Sequence, residues 1–322
     1  MRLKLIFLGA IITLIVIFSA RDKPFAQAKS SEKTSESQAQ KPTQKKDAQI
    51  VISTNMVSVT VTVSDRNRRF VTGLTKDDFE VYDDNVKQDI ALFSTQDSPI
   101  TLGIVYDSSG SMNPLSRQSF HALKGLFEYS HEDDEYFVVS FSDKSKLIQD
   151  FTSTPNDIIN RAVFIKPKGS TALYDAIYLA LEKVKQGRHE KKALLIISDG
   201  EENSSRYSFK ELSTSLKETD AQIFAIGLGE GGALPQITET SGGLTFLPME
   251  YNEVGDIYTR IALMLRNQYV IGFYPNNESE IPRWHKLKIN VKTPKPLGKT
   301  FTYYRKSYQS SASEQSVTKP LK

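Results

Sequence analysis

The chain has 322 residues, 39% of them hydrophobic and 25% charged, which is ordinary for a globular protein with one sizeable domain and room for a smaller one. It contains no cysteine, so disulfides, thiolate catalysis, cysteine–zinc centres and a lipidated cysteine are excluded. Setting aside residues 1–28 leaves 37 basic and 37 acidic residues, 41 less four and 38 less one, so bulk charge gives no support to nucleic-acid binding.

Residues 1–28 open with MRLK, followed by the uncharged run LIFLGAIITLIVIFSA of 16 residues. The run is short for a hydrocarbon layer about 30 Å thick, and Pro24 and an A-x-A site at Ala26 to Ala28 follow it, which is the pattern of a signal peptide. An uncleaved N-terminal anchor is the alternative. Both imply a secreted, periplasmic or cell-surface protein, with membrane contact only through that segment. Residues 29–48 are rich in Ser, Lys, Gln and Glu and read as a disordered linker.

From residue 49 to 97 the pattern is β. Val57, Val59, Val61 and Val63 alternate with Ser58, Thr60, Thr62 and Ser64, and FEVYDDNVKQDIALF reads as a hairpin around Asp83 to Asn85. Between 98 and 267 the apolar runs ITLGIVY, YFVVSFS, KALLIIS and QIFAIGLG are those of strands buried on both faces. Helices are expected over Pro114–Tyr129, Thr171–Gln186, Phe209–Glu218 and Glu253–Asn267. The expected fold class is therefore α/β, a doubly wound, mostly parallel sheet. Residues 268–308 return to β, with Leu287, Ile289 and Val291 alternating with lysines, and are expected to pair with 49–97 as a small additional β domain; two unrelated β arms are the alternative. Residues 309–322 read as a disordered tail.

The chemistry gathers in three loops. Asp107, Ser109 and Ser111 in DSSGSM stand at the carboxyl end of the first α/β strand, Thr171 in GSTALYDA where a loop enters a helix, and Asp199 in ISDGEEN at the end of another buried strand. Alone, D-x-S-x-S is also an ordinary turn composition. Loops at the carboxyl ends of neighbouring strands converge where the strand order of an open sheet reverses, so all five side chains are expected at one point. Two carboxylates and three hydroxyls form a hard, oxygen-only set suited to Mg²⁺, with Mn²⁺ or Ca²⁺ as alternatives. Because the hydroxyls are neutral, the ion keeps much of its charge and seeks an external oxygen, most naturally a carboxylate from a partner.

This three-part pattern resembles the metal-ion-dependent adhesion site of von Willebrand factor type A domains, over roughly Ile100 to Asn267. Asp107, Ser109 and Ser111 match its D-x-S-x-S element, Thr171 its loop threonine and Asp199 its strand-end aspartate. SGGLTFLP at 241–248 is similar to the family's last strand. The flanking VTVTVSDRNRRFVTGLTKDDFEVYDDN and LRNQYVIGFYPNN resemble a subgroup of secreted bacterial relatives common in Acidobacteria. The resemblance implies a doubly wound fold and metal-dependent protein binding, usually without catalysis. Ser109, Ser111 and Thr171 are then expected as direct ligands, and Asp107 and Asp199 as ligands directly or through water.

Other features carry competing readings. Asp175 either supports the site or caps a helix; Glu201 and Glu202 either line the binding face or are solvated; HEDDE at 131–135 reads as a solvated loop. His121, His131, His189 and His285 lack metal-ligand spacing. The segment Ile281–Tyr308 has no acidic residue and interleaves Arg283, Lys286, Lys288, Lys292, Lys295, Lys299, Arg305 and Lys306 with aromatics. It reads as protection of an exposed strand or as a surface for an anionic envelope polymer. A metal-dependent hydrolase is a further alternative, but it needs a positioned base that no motif here supplies. The expected protein is a non-enzymatic adhesion and interaction module of unspecified oligomeric state.

Overall fold

The computed structural model describes residues 56–95, 97–112, 122–162, 164–250, 252–276, 282–293 and 298–310. The apolar runs from Ile100 onward become strands with nothing but buried positions: β5 (Ile100–Asp107), β6 (Glu135–Phe141) and β9 (Gln222–Gly227), with β8 (Lys191–Ser198) close to the same. They form a six-stranded sheet of order β10-β9-β8-β5-β6-β7, in which β10 is Thr245–Phe246 and β7 is Ser145–Thr152. All neighbouring pairs are parallel except β6 and β7.

Helices cover both faces. Alternate residues of β5 divide between them: Leu102, Ile104 and Tyr106 pack with α1 (Lys124–Phe127), α2 (Pro155–Ala162) and α6 (Glu253–Arg266), while Val105 packs with α3 (Leu173–Lys185), α4 (Phe209–Glu218) and α5 (Leu234–Ser241). Gly103 falls on the second face, where a Cβ would stand 2.2 Å from Phe137 Cζ, so the position takes glycine. The expected doubly wound α/β fold is what the chain adopts.

Two helices escaped the sequence reading, and both are short. The start of α5 has Pro at its first turn, and Gly242 follows its end with φ 76°, the asymmetry that marks helix limits. α2 begins at Pro155. Of the helix expected over Pro114–Tyr129, residues 114–121 lie outside the described residues, and the remainder contains the short helix Lys124–Phe127. The segments 1–28 and 29–48 and most of 309–322 also lie outside them. Among the described residues no helix is long and apolar enough to cross a membrane.

The flanks build two antiparallel four-stranded sheets, and each draws on both ends of the chain. One has the order β13-β1-β11-β4, with β1 (Val57–Ser64) and β4 (Ile90–Ser94) from before the α/β region and β11 (Tyr269–Phe273) and β13 (Phe301–Tyr303) from after it. The other has the order β14-β12-β2-β3, joining β2 (Phe79–Asp83) and β3 (Val86–Gln88) to β12 (Trp284–Val291) and β14 (Ser307–Gln309). The β2–β3 hairpin turns on Asp84 and Asn85 at φ 47° and 69°, the left-handed pair that matches strand twist. Between the sheets lie Val59, Val61, Val63, Phe79, Val81, Ile271, Phe273, Leu287 and Ile289.

Polar groups, a buried glutamine pair and a partly exposed ion pair, tie these sheets to the α/β region. Gln268, just before β11, donates to Gln222 Oε1 at 2.5 Å, and Gln222 donates to the Gly242 carbonyl at 2.6 Å. Arg305 pairs with Asp220 and donates to the Ser58 carbonyl at 2.8 Å. At the same amino-terminal end of the central sheet, and within the α/β region, Lys191 donates to the carbonyl of Leu265 in the last turn of α6.

Two predictions come from this packing. A chain ending at Asn267 leaves the valines of β1 without their partner strands, so limited proteolysis should cut within 57–94 while the full chain resists; equal resistance would contradict the shared core. Burial, with the Arg266 charge second, holds Lys191 down at about 8 from its usual 10.5. The unfolded chain keeps that proton longer, so the lysine costs stability below pH 8 and the cost fades as pH rises towards 10.5. In urea unfolding, the stability of the parent relative to Lys191→Met should therefore rise between pH 7 and pH 9.5.

Candidate functional site

In the chain order, β6 lies on one side of β5 and β8 on the other, so the strand order reverses at β5 and a crevice opens at the carboxyl ends of β5 and β8. Asp107 is the last residue of β5, and Asp199 follows the last residue of β8. The topology alone thus places both aspartates at the crevice.

Asp107 is fully buried, and both of its oxygens are held. The Ser109 backbone N–H donates to Oδ1 at 2.8 Å, closing a turn, and the Ser198 hydroxyl donates to Oδ2 at 2.5 Å. Burial raises the Asp107 pKa from its ordinary value; hydrogen bonding by Ser109 and by Ser198 opposes the rise, and the charge of Asp199 adds to it. The site therefore carries uncompensated negative character that a cation would relieve. Ser109 is buried and Ser111 exposed, with their hydroxyl oxygens 3.1 Å apart on the short 3₁₀ turn Gly110–Met112.

The second loop is bonded directly to the first. Lys168 N–H donates to the Ser108 carbonyl at 2.8 Å, and Gly110 N–H to the Gly169 carbonyl at 3.1 Å. Asp143, in the β6–β7 turn, accepts from Ser170 N–H at 2.7 Å, and this bond is the first cause that lowers its pKa. Thr171 is 2% exposed, and its backbone is clamped by the third loop: its N–H donates to Asn203 Oδ1 at 2.8 Å, and its carbonyl accepts from Asn203 N–H at 3.0 Å.

The third loop is fixed by Gly200, at φ 81°. A Cβ there would sit 2.0 Å from the Gly231 carbonyl oxygen, and Gly200 itself accepts from Ala233 N–H at 3.1 Å. Asp199 stays half-buried at the rim. So the structure brings Asp107, Ser109 and Ser111 together on one loop, bonds the loop of Thr171 to it, and sets Asp199 next to the serine that holds Asp107.

Several neighbours have structural duties. Asp175 is buried and accepts from Arg206 N–H at 2.9 Å, Arg206 Nε at 3.0 Å and Tyr207 N–H at 3.1 Å, so it anchors the third loop to α3. Glu202 accepts from Tyr174 N–H, Ser204 N–H, Ser205 N–H and the Ser205 hydroxyl, which uses up its oxygens; only Glu201 is exposed. Sequence reasoning passed over Ser198 and Asn203. The signal available was their position flanking the aspartate and glutamates of ISDGEEN.

The solvated reading of HEDDE is corrected at its last two residues. Asp134 is 2% exposed and takes the Ile100 N–H at 2.9 Å together with Arg266, while Glu135, the first residue of β6, accepts from the Thr101 hydroxyl at 3.0 Å. A sheet strand beginning under a helix end needs those acceptors, and alternation alone does not reveal them. In the basic C-terminal segment, Arg283 pairs with Asp84, Lys292 with Glu80 and Arg305 with Asp220, so part of its charge is neutralised internally.

The sequence model of the von Willebrand factor type A domain matches residues 102–202, which hold all five residues of the pattern. Among solved structures, the PilB minor pilin from Streptococcus sanguinis is similar at 14% identity and TM-score 0.44, over 54% of this chain and 63% of the pilin. The chain thus spans less than two thirds of that protein. A von Willebrand factor type A protein from Catenulispora acidiphila aligns at 10% identity and TM-score 0.47, over 79% of this chain and 72% of that one. The von Willebrand factor domain of the type V pili tip protein Mfa5 from Porphyromonas gingivalis aligns at 11% and 0.42, over 52% and 95%. No curated protein matches.

Gly200→Ala forces a β-carbon into the Gly231 carbonyl and strains a left-handed backbone, so it should cost about 2 kcal/mol or more in denaturant unfolding. Gly73→Ala, also left-handed at φ 79° but with nothing within 4 Å of the added carbon, should cost only about 1 kcal/mol. Equal effects would mean that the contact of the third loop with Gly231 is not tight.

Proposed function

We propose that the von Willebrand factor type A domain matched at residues 102–202 is a divalent-cation-dependent protein-binding module, and that the protein works as an adhesion or interaction module outside the cytoplasm. The observation that carries this reading is the hydrogen-bonded union of three oxygen-bearing loops at the reversal of strand order, with Asp107 buried and no cationic side chain among its partners within the described residues. An all-oxygen set of this kind favours Mg²⁺ or Mn²⁺ over softer metals. The Ser109, Ser111 and Thr171 hydroxyls would hold the ion directly, with Asp107 and Asp199 bound directly or through water.

The charge balance supports a partner. Three neutral hydroxyls leave the ion electrophilic, and the exposed Ser111 and half-buried Asp199 put it at the protein surface. A carboxylate from a partner then completes the shell. Catalysis is disfavoured because the two Asp107 oxygens are already occupied, and Asp175 and Glu202 spend theirs on the loop backbone. The apolar N-terminal run supports placing the module outside the membrane.

Isothermal titration with Mg²⁺ or Mn²⁺ should show one site filled at up to millimolar ion. Asp107→Ala should weaken it by at least about tenfold, as loss of a group supporting a metal typically does. Capture of envelope or culture-fluid proteins by the full chain should be lost in EDTA and in that variant alike. A titration without heat, or capture that survives both treatments, removes the ion from the function.

A further inference from the structure

The core between the flanking sheets contains a second group of metal-ligating side chains, remote in sequence from the three loops. Asp83 ends β2, Asp84 opens the hairpin turn and His285 is the second residue of β12. Asp83 is fully buried and His285 is 1% exposed. Imidazole Nδ1 lies 2.9 and 3.0 Å from the two Asp83 oxygens and 3.5 Å from Asp84 Oδ2. One ligand-type atom from each of the three residues falls within 4.8 Å of the others.

A second observation concerns Tyr308 of β14. Its ring stacks on His285 with centroids 4.8 Å apart at 18°, and it is 3% exposed. Its hydroxyl is buried and makes no hydrogen bond of ordinary geometry. Among the described residues His285 Nδ1 is the one donor to the buried Asp83 carboxylate, while the partly exposed Asp84 accepts from Lys286 N–H and from Arg283, both at 2.9 Å, and the Tyr308 hydroxyl and His285 Nε2 are buried without partners. Burying the Asp83 carboxylate on a single donor is costly, and a cation removes the cost.

We propose that Asp83, Asp84 and His285 form a divalent-cation site of mixed nitrogen and oxygen character, suited to Zn²⁺ rather than to the hard ions of the three-loop site. The neutral imidazole binds through Nδ1, each aspartate supplies one oxygen, and a metal-bound water provides the partner that the Tyr308 hydroxyl lacks. His285 and Asp83 are 202 residues apart, so the ion ties the two flanks together in a chain that has no cysteine to do so. Arg283, 43% exposed at its side chain, holds Asp84 Oδ2 at 2.9 Å and competes with the ion from the solvent side.

The test is a Co²⁺ titration of the full chain in the Asp107→Ala background, so that the three-loop site is silent, followed by the visible bands of low-symmetry Co²⁺. Bands should appear, Zn²⁺ should bleach them, and Zn²⁺ should raise the melting midpoint by several degrees. Asp84→Asn, at the partly exposed position where folding is least at risk, should weaken Co²⁺ at least tenfold. Arg283→Gln should tighten it, an effect opposite in sign that no general loss of structure produces. A chain that gives no Co²⁺ bands, or bands that neither variant alters, overturns the proposal and leaves an ordinary buried histidine–aspartate pair. Neither result bears on Mg²⁺ binding by the unmutated Asp107 site.

Discussion

A strand buried on both faces has to end at water, and β5 ends on the carboxylate of Asp107. That carboxylate is itself out of water, so its oxygens need donors, and the chain supplies them from its own turn and from Ser198 at the end of β8. The crevice between β5 and β8 is thereby closed by a hydrogen bond, and the loops that follow each strand are drawn towards each other. The second loop then locks onto the first through Gly110, Lys168 and Gly169. What remains facing outward, Ser111 and in part Asp199, is the portion of the set that solvent reaches.

The flanking sheets answer a different constraint. β1 is apolar on alternate residues and cannot stay folded alone, and β11 pairs with it from Val57–Phe273 to Val61–Tyr269 after the whole α/β region has intervened. The link is not passive. Gln268 and Gln222 join the start of β11 to the base of β9 and to Gly242 after α5, while Lys191, Arg266 and Asp134 hold the end of α6. The α/β region is thus joined to the small β core through the buried, hydrogen-bonded pair Gln222 and Gln268.

The parts legible in the sequence were those with a short period or a local cause. Continuous apolar runs gave the buried strands, alternation gave β1 and β12, and Asp84-Asn85 gave the hairpin turn. Long-range pairings of polar groups were not legible. Asp134 in HEDDE has the look of a solvated loop residue, and only the fold brings Ile100 and Arg266 to it. His285 sits in a lysine-rich strand, and its buried contact with Asp83 spans 202 residues of sequence. For the three-loop set, residue types and strand-end positions were readable, whereas the clamps that hold it, Ser198 and Asn203, are identified only by their contacts.

The central claim is that one divalent ion sits among the five oxygen-bearing side chains at the end of β5. Crystals of the chain grown with Mn²⁺ and measured at the manganese absorption edge test it directly. An anomalous peak bonded to the Ser109 and Ser111 hydroxyls and adjacent to Thr171, Asp107 and Asp199 is the predicted result. A well-diffracting, Mn²⁺-soaked crystal with no peak at that position would contradict it.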